Sequence, residues 1–195
     1  MRGHSFFRLF AVPLVVALCA APTAFAGQTA RSSGTGGQEY GAADAPETEG
    51  KPTVPGTRAK LLDDGTAAAP ELAPPAVQKA IWATNRIIGK PYRYGGGHRS
   101  FKDSGYDCSG TISVALNAAG TLRSPLDSSS FMSWGAAGEG DWITVYTHPG
   151  HAFVVIAGLR LDTSAAGDPS GDKGPRWRPT LRSTSGFKRR HPVGL

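Results

Sequence analysis

The sequence predicts an α+β domain in which N-terminal helices pack on a small antiparallel sheet, and three observations carry that prediction. Apolar residues recur at three- and four-residue spacing from Val77 to Ile88, as on one face of a helix. A second helical run, from Asp107 to Gly120, has a capping residue at its start and a glycine at its end. Three short segments rich in β-branched and aromatic residues follow, at 142–146, 151–157 and 159–163.

The elements begin with a segment that reads as an export signal. Arg2 and Arg8 supply a positive start, Leu9 to Ala21 is almost wholly apolar, and Ala24-Phe25-Ala26 offers small residues for a signal peptidase. The apolar run is 13 residues long, where a membrane-spanning helix needs roughly 20. Cys19 raises the rival of a lipoprotein signal, but Leu18 precedes it where a small residue is expected. Residues 1–26 are therefore expected to be a cleaved signal peptide, and the mature chain to be secreted without stable membrane insertion. Cleavage removes Cys19 and leaves Cys108 as the sole thiol of an exported protein, which points to intermolecular pairing or a reactive group.

Residues 27–75 hold 8 glycines, 6 prolines, one aromatic residue and only four of Val, Ile, Leu or Phe. A segment of that composition is expected to be a disordered linker, because it buries too little apolar surface to offset its ordering entropy. The linker carries a net charge of −3 and residues 76–195 a net charge of +7. A basic domain favours polyanionic partners such as wall polymers, nucleic acid or anionic lipid. Two cysteines exclude a disulfide-dense scaffold and any zinc site of three or four thiolates.

Residues 76–195 are large enough for one core. Pro74-Pro75 opens the first helix, and Gly89 and Pro91 stop it. A turn-rich stretch from Tyr94-Gly95-Gly96-Gly97 to Ser104-Gly105 leads to the second helix. Cys108 falls in the first turn of that helix, where unpaired N–H groups and the helix dipole favour a thiolate. Asp107 and Ser109 beside it argue against an inert buried cysteine.

A cysteine nucleophile needs a base within reach, itself oriented by a third group. His151 is the candidate base, since it opens a strand immediately after Pro149-Gly150. If Ala157-Gly158 is a two-residue hairpin turn, Phe153 pairs with Asp162 and His151 with Ser164. His151 and Asp162 then lie on one face as diagonal neighbours, and Asp162 becomes the candidate orienter. Thr163 points to the other face.

The pattern resembles the NlpC-type cell-wall peptidase family. It comprises Pro91-Tyr92-Arg93-Tyr94-Gly95-Gly96, Tyr106-Asp107-Cys108-Ser109-Gly110, Gly140-Asp141 before a strand, and Gly150-His151 opening the next. The likeness spans about residues 85–165. It implies a papain-like cysteine peptidase acting on peptidoglycan stem peptides, with Cys108 as nucleophile, His151 as base and Asp162 as the third polar residue. It further implies that Tyr92 helps hold substrate or oxyanion, and that Asp107 and Ser109 contact substrate. Three features depart from the family pattern: the 97–105 segment is long, the third position is aspartate where histidine is usual, and Trp142 stands where a smaller aliphatic is common.

No cofactor is expected. His98, His148 and His151 make a metal site conceivable, but residues three apart on a strand face opposite ways and no carboxylate motif accompanies them. Gly95-Gly96-Gly97 lacks the Gly-Lys-Ser/Thr of a phosphate loop. Trp134, Trp142 and Trp177 fit core or groove wall better than platforms for nucleic-acid bases, so no nucleic-acid partner is expected. Lys188-Arg189-Arg190 reads as a solvated face or a surface drawn to the anionic wall. The expected protein is a monomeric, secreted, wall-associated hydrolase. Two alternatives stay open: an amidase using the same Cys–His pair, and a non-catalytic basic module that adheres to the wall.

Overall fold

The computed structural model describes residues 51–195. The expected signal peptide and the first part of the expected linker, residues 27–50, lie outside the described residues.

Residues 51–75 are ordered, against the expectation of a disordered linker as far as Pro75. They form β1 (Thr53–Val54), β2 (Lys60–Leu61) and β3 (Ala67–Pro70), with β3 parallel to β1 and antiparallel to β2. Two physical features explain the difference. Ala67, Ala68 and Ala69 are buried, so small side chains supply the apolar surface that a count of Val, Ile, Leu and Phe misses. Side chains of the following helix also satisfy this segment's backbone. Asn85 Nδ2 donates to the Ala67 carbonyl (2.9 Å) while Asn85 Oδ1 accepts from the Ala67 N–H (3.0 Å). Gln78 Nε2 donates to the Pro70 carbonyl and Trp82 Nε1 to the Pro52 carbonyl, each at 2.9 Å.

Helix α1 (Pro75–Asn85) starts at Pro75, whose missing N–H costs nothing at a helix start. It buries Val77, Ala80, Ile81 and Thr84. Helix α2 (Cys108–Ala118) has Asp107 as N-cap, and Gly120 follows it with φ +76°. The two helices pack on one another, and α2 packs against the main sheet. Helix α3 (Ser128–Phe131) is a single turn capped by Asp127.

The remaining strands are β4 (Ala136–Ala137), β5 (Ile143–His148), β6 (His151–Ile156), β7 (Leu159–Asp162), β8 (Arg176–Arg178) and β9 (Lys188–His191). They form a six-stranded antiparallel sheet in the order β4-β9-β5-β6-β7-β8. The α+β class is therefore as expected. So is the register of the β6–β7 hairpin, in which Val154 faces Leu161 and Ile156 faces Leu159. Its turn residues Ala157 (φ +47°) and Gly158 (φ +80°) are both left-handed, as the twist of a two-residue hairpin requires. The basic run 188–190 is more than a solvated face: it is a strand between β4 and β5, with Lys188 and Arg189 exposed.

The core lies between the helices and the sheet. Ile81, Ile112 and Leu116 meet Val145, Val154, Ile156 and Leu161 there, all essentially inaccessible to solvent. Burial of this kind contributes roughly 1.5–3 kcal/mol per large aliphatic side chain. It fixes the helix that carries Cys108 against the strand that carries His151.

Candidate active site

The site is assembled around the start of α2. Asp107 is 4% exposed, and its carboxylate is shared among four donors. It caps the helix by accepting from the Gly110 N–H (2.8 Å), and it accepts from the Gly95 N–H (3.0 Å), His98 Nε2 (3.0 Å) and Ser109 Oγ (3.2 Å). The glycine-rich strap 91–97 is thereby tied to the helix start. The Arg93 N–H donates to the Tyr106 carbonyl and the Tyr106 N–H to the Pro91 carbonyl, both at 3.1 Å. Strap and helix touch backbone to backbone: a Cβ on Gly110 would collide with the Gly96 carbonyl. The close approach is why both segments carry glycine there.

Cys108 is partly exposed in the first turn of α2. His151, the first residue of β6, lies close enough to interact with its thiol. His151 Nε2 lies 2.9 Å from Asp162 Oδ1. With Nε2 committed to the carboxylate, Nδ1 is the ring nitrogen left for the thiol. Burial alone would push the imidazole pKa down. The hydrogen bond to Asp162, then the interaction with the Cys108 thiol, and the charges of both outweigh burial and raise it from 6.5 to about 9. Asp162 is buried, and its Oδ1 also accepts from the Ser164 N–H at 2.8 Å. The arrangement can thus take a proton from a thiol, keep it on an imidazole, and hold that imidazole in one orientation.

A cleft of about 540 Å³ opens at Cys108, bounded by Tyr92, Tyr94, His98, Asp127 and the Pro149-Gly150 turn. Tyr92 is 45% exposed. Burial, and then the charges of Cys108 and Asp107, hold its phenol above the usual range, so it is a hydrogen-bond donor at neutral pH. The structure therefore brings Tyr92, Cys108, His151 and Asp162 together. Asp107 and Ser109 border the same cleft, but both are nearly inaccessible and bonded to one another and to His98.

His98 is the residue that sequence reasoning set aside. Its Nε2 sits 3.0 Å from both the Asp107 carboxylate and Ser109 Oγ, and its side chain remains 32% exposed at the cleft wall. The signal available was its place just after the strap, two residues beyond the glycine pair; the contact itself depends on the tertiary fold. His148 stays outside this network, with Nδ1 accepting from the Gly150 N–H at 3.0 Å. Among the described residues, no group of three or more His, Cys, Asp or Glu side chains is placed to hold a metal ion.

No family model matches the chain, and no curated protein matches it. Solved structures similar to it include the two that follow. The peptidoglycan hydrolase RipB from Mycobacterium tuberculosis aligns with a TM-score of 0.46 and 20% identity, over 62% of this chain and 66% of that one. An NlpC/P60 family protein from Bacillus cereus aligns with a TM-score of 0.44 and 19% identity, over 66% of this chain and 44% of that one. This chain spans less than half the length of the Bacillus cereus protein.

Proposed function

We propose that this chain is an exported cysteine peptidase that hydrolyses amide bonds in peptidoglycan stem peptides. The single observation that carries the reading is an imidazole, His151, that interacts with both Cys108 and Asp162, with a partly exposed sulfur opening onto a cleft. Export rests on the sequence of residues 1–26, and the choice of peptidoglycan on the motif set that surrounds Cys108 and His151.

In this mechanism His151 takes the thiol proton, giving a thiolate–imidazolium pair. Cys108 attacks the amide carbonyl, and the oxyanion is held by the backbone N–H groups at the start of α2 and by the Tyr92 hydroxyl. The imidazolium protonates the leaving amine. Water, deprotonated by His151, then cleaves the thioester. Asp162 keeps Nε2–H pointed away from the thiol throughout.

The experiment is digestion of purified peptidoglycan by the full chain and by C108A, with mass spectrometry of the soluble fragments. Fragments ending at a stem-peptide amide, absent with C108A, support the reading. Fragments cut between sugar and peptide would make the enzyme an amidase, and release of nothing by the wild type would end the hydrolase reading.

A further inference from the structure

Asp162 carries more than His151. Its second oxygen, Oδ2, accepts from Arg182 Nη1 at 3.2 Å and lies 3.8 Å from Arg160 Nε. Arg160 is wholly buried, and none of its three guanidinium nitrogens has a hydrogen-bond partner among the described residues. Among the described residues its charge is answered at contact range by Asp162 alone, an expensive arrangement for a cation out of water. Arg182 is held over the faces of Phe153 and Phe187, 5.4 Å from each ring centroid. Phe153 lies two residues beyond His151 on β6, so the guanidinium is fixed relative to the imidazole by the same strand.

We propose that Arg182, backed by Arg160, is a positioning residue that grips the far oxygen of Asp162 and draws charge away from the oxygen facing His151. The inference rests on reading His151 as the base of the reaction and adds a regulator of its basicity. An unopposed buried carboxylate would bind the imidazolium proton too firmly for it to be passed to the leaving amine. A shared one holds the ring while keeping that proton available. The Oδ1 side is secured independently by the Ser164 N–H, so removing the Arg182 charge leaves the Asp162–His151 bond in place and strengthens it.

Other titratable and charged groups face this pair. Cys108 approaches from α2, and the His148 ring from β5 at 6.5 Å. Arg178 on β8 donates Nε to the Asp162 carbonyl at 3.1 Å, and its guanidinium pairs with Asp168. Arg176, opposite Asp162 in the β7–β8 register, donates to the Pro175 carbonyl. Arg182 is the one arginine among the described residues that hydrogen-bonds the Asp162 carboxylate, and its side chain is still 20% exposed, so it can be replaced without opening the core.

The test is an NMR titration of His151 in the full chain, with R182M, R182Q and R182K compared against the wild type. The expected result is a rise in the His151 titration midpoint of about half a unit or more in R182M and R182Q, and little change in R182K, which keeps the charge. If R182M fails to fold, R182Q carries the test. An unmoved or lowered midpoint in the charge-free variants, or an equal shift in R182K, overturns the proposal. The titration does not depend on turnover. A wild type that hydrolyses no stem peptide defeats the peptidase reading and leaves this coupling standing, whereas an uncoupled His151 in an active enzyme defeats only the role of Arg182.

Discussion

His151 and Asp162 sit on separate strands, diagonal across the β6–β7 hairpin, with Nε2 and Oδ1 2.9 Å apart. The relationship depends on the two-residue turn at Ala157-Gly158, because a one-residue slip would send Asp162 to the opposite face. The turn is also clamped from outside: the Ala59 N–H donates to the Ala157 carbonyl at 2.9 Å. The segment before α1 thus supports the register that brings base and carboxylate together.

Removing the carboxylate has two separable effects. In D162A, Arg160 and Arg182 face each other without a counter-charge, which destabilises the fold by about 3 kcal/mol. Turnover measured where the variant is still folded is expected to fall, though less than in H151A, since an orienter can be lost while some productive ring orientations remain. Urea unfolding and hydrolysis assays on the same preparations separate the two. Equal stability of D162A and wild type would contradict the buried charge cluster.

The pH dependence follows from the raised imidazole. His151 is held at about 9 in the folded chain against an ordinary 6.5. Its contribution to stability is therefore fully present below about pH 6.5 and is lost as pH rises through about 9. Thermal unfolding of wild type is expected to weaken across that window, and H151A to show a flatter profile. Parallel profiles would mean that His151 is not perturbed as described.

Asp107 is expected to matter for folding before it matters for chemistry. D107A removes the α2 cap and the partner of the Gly95 N–H and His98, and it should cost about 1–3 kcal/mol. D107N keeps an acceptor for the Gly110 N–H and should recover part of that loss. Urea denaturation of both variants checks the order.

A still larger effect is expected at Gly110, where a methyl group meets the Gly96 carbonyl. G110A must push the strap off α2, displacing Tyr92 and His98 with it. Loss of several kcal/mol or failure to fold is the expected outcome, read by the unfolding midpoint; a midpoint near that of wild type would contradict the backbone contact.

The parts of this structure that were legible in the sequence are those set by local rules. Asp107 and Gly120 mark the ends of α2 because capping and left-handed termination are local. Ala157-Gly158 fixes a register because the turn is only two residues long. Residues 51–75 were misread because alanine burial and the bonds from Gln78, Trp82 and Asn85 arise only once α1 is in place. The arginine cluster left no trace either. Arg160, Arg178 and Arg182 are unremarkable in a basic chain until β7 and β8 pair and the following loop folds back over Phe153. His98 has the same history, being an ordinary turn residue until Asp107 becomes the cap of α2.

The measurement that tests the central claim most directly is the rate of Cys108 alkylation by iodoacetamide across pH in the folded full chain, compared with H151A. If His151 activates the sulfur, the wild type reacts at pH 6 at a rate close to its rate at pH 8, and H151A loses most of the reaction at pH 6. Modification of Cys108 only after unfolding, or one pH profile shared by both proteins, would contradict the account.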